Sequence, residues 1–147
     1  MFNRSGAAIA FILMFVAGGP AAAAPVQAVE LRLQDSSVDP AIAHMRIVAT
    51  PQTVKPGRVT LHAVNESKSQ VHEVIVTRDD GTKPLPMDAK TDRVIEKRVH
   101  PLGEISDLAP GKSGKLTLTL KAGTYVLFCN EPGHYHGGMA ATLTVAP

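Results

Sequence analysis

The sequence predicts an all-β chain, a Greek-key β-sandwich of about seven to eight strands. Two observations carry this expectation. Apolar residues recur at period two in short segments, the pattern of strands with one buried face. Pro/Gly turn signals stand just ahead of several of these segments: Lys55-Pro56-Gly57, Ala109-Pro110-Gly111 and Lys121-Ala122-Gly123. No long segment with helical periodicity competes with them.

The chain of 147 residues opens with Arg4, an apolar stretch from Ala7 to Val16 and a small-residue tail running from Gly18 to Ala28. This is the pattern of a secretory signal peptide, expected to occupy residues 1–28. Cuts after Ala23, Ala24 or Ala28 satisfy the small-residue preference, and Ala28 is favoured because Pro25 makes a poor start for the nearer cuts. The apolar run is too short to span a bilayer comfortably, so removal is expected rather than anchoring. Residues 29–147 then make one exported domain.

Strands are expected at 29–33, 44–50, 58–65, 71–78, 93–99, 115–121, 124–129 and 140–145. Between the fourth and fifth lies a polar stretch, 79–92, interrupted by Pro84 and Pro86 and too long for a hairpin turn. It is expected to cross between the two sheets, with a short helical turn near 87–91. Basic and acidic residues number 15 and 13 and are interspersed, for a net charge of +2. Neither a nucleic-acid partner nor stable membrane insertion follows from such a distribution.

The single cysteine, Cys129, cannot form an internal disulfide, and an exposed thiol in an exported protein is a liability. Its surroundings offer a way to protect it. Cys129-Asn130-Glu131-Pro132-Gly133-His134-Tyr135-His136-Gly137-Gly138-Met139 gathers a thiol, imidazoles and a thioether into one turn. Soft sulfur ligands suit Cu(I) and imidazole suits Cu(II), so the set fits a copper ion that changes oxidation state with little rearrangement. A trigonal site of one Cys and two His, with a weak axial Met, needs a further histidine. His72, in the run Val71-His72-Glu73-Val74-Ile75-Val76, is the donor expected.

Strand parity supports this grouping, because residues i, i+2 and i+4 share a face. His72 is in phase with Val74 and Val76, Cys129 with Leu127 and Tyr125, and Met139 with Ala141, Leu143 and Val145. Pro132-Gly133 would turn the chain to present His134, and Gly137-Gly138 would bring the backbone back to Met139. His136 competes with His134 but lacks a preceding Pro-Gly turn and leaves a cramped return. His44 and Met45 form another His/Met pair, with Met45 in phase with Ile47 and expected in the core. His62 is expected to face outward, and His100 has no evident partner. Asn65 is expected to tie the His72 loop to the Cys129 loop, while Glu73 and Glu131 are expected in solvent.

The segment from Tyr125 to His134, followed by Gly138-Met139 and Leu143-Thr144-Val145, resembles the copper loop of the cupredoxins, the plastocyanin/azurin-like blue-copper family. Asn65 before His72-Glu73-Val74, and Leu102-Gly103-Glu104-Ile105 before Leu108-Ala109-Pro110-Gly111, resemble a bacterial periplasmic branch. The resemblance implies one copper ion per chain, held by His72, Cys129 and His134 equatorially and Met139 axially. It implies single-electron transfer to redox protein partners through a small interface near His134, around Pro132, Gly133, Tyr135, Gly137 and Gly138, by a monomer. A copper carrier or buffer without a shuttle role would use the same ligands. Catalysis of the multicopper-oxidase kind is not expected, because Cys129 is flanked by Phe128 and Asn130 rather than by histidine.

Overall fold

A computed structural model describes residues 25–41 and 43–147. The expected signal segment, apart from residues 25–28, lies outside the described residues. Alternation of buried and exposed side chains builds two facing sheets. The first contains β1 (Gln27–Gln34), β2 (Arg46–Thr50), β4 (Gly57–Asn65) and β9 (Ser113–Leu120), in the order β2-β1-β4-β9. The second contains β3 (Thr53–Val54), β5 (His72–Arg78), β8 (Gly103–Leu108), β10 (Gly123–Phe128) and β11 (Ala140–Val145), in the order β3-β11-β10-β5-β8. Most neighbours run antiparallel, but β1 pairs in parallel with β4 and β11 with β3.

One continuous core fills the space between the sheets. Val29, Leu31 and Leu33 of β1 and Val59, Leu61 and Ala63 of β4 meet Val74 and Val76 of β5, Leu127 of β10 and Leu143 of β11. Cys129 and Met139 belong to this same buried cluster, on the faces that strand parity predicts. Removing this apolar surface from water is the main force holding the sheets together.

Two expectations for the middle of the chain are corrected. The stretch after β5 does not cross between sheets: it returns to β8, which lies beside β5 in the same sheet. Nor is 93–99 a single strand. Arg93–Val94 (β7) pairs with Met87–Asp88 (β6), and Glu96–Val99 forms a one-turn helix, α1. Glu96 in its first turn and Lys97 and Arg98 in its last follow the charge order that a helix dipole favours. The helix expected near 87–91 does not form: Met87–Asp88 is extended and paired with Arg93–Val94, and residues 89–92 make the turn that joins them.

The excursion covers the outer face of the five-stranded sheet. Leu85 and Val94 pack onto Ile75, Val126 and Phe128 as a second buried cluster, with Met87, Val99 and Tyr135 at its margin. β5 is therefore buried on both faces, which accounts for the unbroken run Val74-Ile75-Val76. β8 escaped the period-two pattern for a local reason. Asp107 has φ +47° and the ladder slips between His72 and Val74, so Ile105 and Leu108, three apart, both point inward. Leu85→Ala is expected to lower stability by about 2–4 kcal/mol in a urea titration; no loss would mean that the cover is not part of the cooperative fold.

Candidate metal centre

The antiparallel neighbours β5 and β10 bring His72, the first residue of one strand, beside Cys129, which directly follows the other. The chain then turns through 130–138 and re-enters the sheet as β11 immediately after Met139. At this end of the sandwich three donor atoms converge. His72 Nδ1 lies 3.2 Å from His134 Nδ1, and Cys129 Sγ lies 3.4 Å from His134 Nδ1. The two imidazoles meet edge to face with centroids 5.0 Å apart. His72 and Cys129 are wholly buried and His134 is 8% exposed. The three donors all lie within 4.8 Å of one another and can hold one metal ion.

Burial sets their protonation. Desolvation, reinforced by the neighbouring imidazole, holds the His72 pKa below its usual value, and desolvation does the same at His134. Both rings are therefore neutral near pH 7, each with a lone pair to offer. Desolvation also pushes the Cys129 thiol up to about 11, although backbone N–H groups of Glu131 and Glu73 act against the shift. A bound cation reverses that preference, because a metal takes the thiolate and releases the proton. Two neutral imidazole nitrogens and one sulfur form the donor set that copper accepts in both oxidation states. The residues present fit the ion.

Residues 35–146 match the family described as copper binding proteins, plastocyanin/azurin family. The chain belongs to that family. A stretch of 39 residues is 54% identical to the copper-resistant cuproprotein CopI of Pseudomonas aeruginosa, covering 26% of this chain and 22% of that protein. The match thus spans less than a quarter of that curated relative's length. Among solved structures, dithionite-reduced auracyanin from the photosynthetic bacterium Roseiflexus castenholzii is 26% identical, with a TM-score of 0.59 over 86% of this chain and 100% of that one. Rusticyanin from Thiobacillus ferrooxidans shares the fold at 20% identity, with a TM-score of 0.62 over 82% and 77% of the two chains.

The loop of this cupredoxin is held by its own backbone. Cys129 N–H donates to Met139 O at 3.1 Å and Met139 N–H donates to His134 O at 2.9 Å, so three of the four residues singled out in the sequence are tied directly together. Met139 is wholly buried. Gly138 has φ +97°, and a Cβ there would stand 3.1 Å from Met45 O. His136 lies outside the cluster: its side chain is 77% exposed and its Nδ1 is 3.3 Å from Asp92. Met45 packs against the core as expected, while His44 is exposed. His62 pairs with Glu30 at 2.8 Å, and His100 is exposed in a left-handed turn.

Four residues around the site differ from expectation. Asn65 Nδ2 donates to Gln70 O and Leu108 O, so it ties the His72 loop to β8 rather than to the Cys129 loop. Glu73 makes that second connection. Its N–H donates to Cys129 Sγ at 3.4 Å, and its carboxylate accepts from Asn130 N–H at 3.0 Å. Far from solvated, Glu73 is buried. Glu131 is half-buried and pairs with Arg93 at 3.1 Å. Tyr135 is half-buried and does not line the His134 depression: its ring packs on Phe128 and its hydroxyl accepts from Leu85 N–H at 2.9 Å.

Sequence reasoning missed Asn130 and Asp35. Asn130 accepts from Val94 N–H and donates to Val94 O and Glu96, fastening the excursion to the residue after Cys129. Asp35 is buried just after β1, with Oδ2 3.4 Å from His72 Nε2. Its position directly after a strand and before Ser36-Ser37 was the only signal available. The edge of His134 opens into a surface depression of about 580 Å³ lined also by Ser69, Gln70, Val71, Asp107 and Glu131.

Desolvation and the nearby Glu104 carboxylate raise the Glu73 pKa from 4.5 to about 7. Between those values the metal-free folded protein keeps a proton that the unfolded chain releases, so this group's contribution to stability falls as pH rises. Glu73→Gln retains an acceptor for Asn130 and removes that dependence. In pH-dependent denaturation of the metal-free proteins, the variant is expected to gain roughly 1–3 kcal/mol on wild type across the window; parallel curves would show that Glu73 does not titrate there.

Proposed function

We propose that this cupredoxin is a type 1 copper electron carrier, in which His72, Cys129, His134 and Met139 would hold the copper. The convergence of two imidazoles and one Sγ in a buried cluster supports this reading. Copper supplies a one-electron couple when bound. The chain's part is to keep the donors fixed through the redox cycle: loop hydrogen bonds hold Cys129, His134 and Met139, and the Glu73 N–H tempers charge on the sulfur. Histidine does not flank Cys129, so the proposed role is transfer without turnover.

Partners are met at the depression over His134, through a small and brief interface of the kind redox encounters use. Its lining is more polar than the glycine- and tyrosine-rich patch expected from sequence, and includes Asp107 and Glu131. We propose a monomer exported to the periplasm. Among the described residues no helix is long and apolar enough to cross a membrane. A cut nearer the N-terminus than Ala28 is our reading; it is supported by the pairing of Gln27 and Ala28 in β1 and by the two 2.7 Å hydrogen bonds between the Gln27 side chain and the Lys55 backbone. Mass spectrometry of the exported protein is expected to give a chain beginning at Ala24 or Pro25; a chain beginning at Val29 would refute this.

The local similarity to CopI favours copper handling as the second reading. Optical and EPR titration with Cu(II) separates the possibilities. An intense thiolate-to-copper band is expected in the wild type and in His136→Ala, and is expected to vanish in Cys129→Ser. A shuttle retains its copper through repeated reduction and oxidation, whereas a carrier loses it to a competing chelator in the reduced state. A pale adduct without the thiolate band would overturn the type 1 reading.

A further inference from the structure

We infer that Asp35 is a positioning residue for the copper site: its carboxylate holds the proton of His72 on Nε2, which leaves Nδ1 bare and aimed at the metal. This inference rests on the copper reading above and deepens it. His72 Nε2 is completely buried and has no well-aligned hydrogen-bond partner, an uncommon condition for a polar atom in a folded protein. The charged group within pairing distance is Asp35 Oδ2, 3.4 Å away. An imidazole in this position has two tautomers. The one protonated at Nδ1 would point a hydrogen at His134 Nδ1, 3.2 Å away, and block the ligand position. The one protonated at Nε2 directs that hydrogen toward an anion.

The carboxylate is itself fixed in place. Asp35 accepts hydrogen bonds from Ser37 N–H at 2.8 Å, from the Ser37 hydroxyl, and from the Ser67 hydroxyl at 2.6 Å. Ser67 is in turn held by its N–H on Asn65 Oδ1 at 2.9 Å, and its Oγ accepts from Gln70 N–H at 3.0 Å. A connected path thus runs from Asn65 at the end of β4 through Ser67 and Asp35 to the outer nitrogen of His72. The serine contacts account for three donors to Asp35 and leave the carboxylate facing a buried nitrogen that lacks a partner. Partners of this kind orient metal-bound histidines and raise their basicity, and their loss commonly costs about 10–100-fold in metal affinity. The fixed negative charge also favours Cu(II) over Cu(I).

The test uses ¹⁵N NMR of the histidine rings in the metal-free protein and voltammetry of the copper-loaded protein, on wild type and Asp35→Asn. In the wild type, His72 is expected as the Nε2–H tautomer. In Asp35→Asn, whose amide can donate to Nε2, a shift toward Nδ1–H is expected. Cu(II) affinity is expected to fall about tenfold more than Cu(I) affinity, which raises the potential by about 59 mV for a one-electron couple. An Nδ1–H tautomer in the wild type, or an unchanged tautomer and potential in the variant, would overturn the role of Asp35. Should the variant fail to fold, the wild-type tautomer alone decides. Absence of a thiolate-to-copper band in the wild type would sink the copper reading, while the metal-free spectra would still judge Asp35.

Discussion

Two imidazoles and a thiol whose donor atoms lie within 4.8 Å of one another, buried but for one edge of His134, make an unfavourable cluster for a chain alone. Each is pushed toward its neutral form, and one buried ring nitrogen is left without an aligned partner. Something else must hold these groups together, and the sandwich does. Its continuous core anchors β5 and β10 as antiparallel neighbours, so that His72 and Cys129 emerge side by side. The cluster makes sense as the fixed half of a metal site, in which the desolvation already imposed by folding is offset when a cation takes up the donors.

The rigidity of the site comes from several directions. Cys129, His134 and Met139 are joined backbone to backbone within one loop, and Glu73 reaches across to the residue after Cys129. Asn130 fastens the same point to β7, which makes the excursion a brace for the site as well as a cover for the outer face of the sheet. On the far side of His72, the path through Asn65, Ser67 and Asp35 limits how that ring can sit. A site braced from both sides suits a metal whose charge changes while its surroundings stay put.

Access is equally uneven. His134 alone keeps an exposed edge, and it opens onto a depression whose lining includes two carboxylates. Tyr135, which from sequence alone belongs to this opening, is turned to the other side of the loop and anchored beneath the excursion. The depression at the exposed edge of His134 is therefore built largely from the 69–71 segment and from Asp107 and Glu131, which lie far apart in sequence.

Local chemistry made much of the protein legible in its sequence. Period-two alternation placed most strands, because one buried face leaves that mark on each strand separately. The Cys129–Met139 segment announced its chemistry because its sulfur and nitrogen donors are neighbours in the chain. Strand phase placed His72, Cys129 and Met139 on the core side; Cys129 and Met139 join the core cluster, and His72 is buried against Asp35, just after β1 of the facing sheet. Elements whose burial depends on distant partners were not legible. β8 hides its two inward residues behind a bulge, and the 79–102 excursion folds back only because Ile75, Val126 and Phe128 offer it an apolar face. Asp35, Glu73 and Asn130 look like ordinary polar residues until β1, β5 and the loop after β10 bring them to His72 and Cys129. The sequence by itself determined the donor types and the alternation that makes a sandwich. Which carboxylates are buried against those donors was decided by tertiary structure, since desolvation and pairing arise only between groups that the fold brings together.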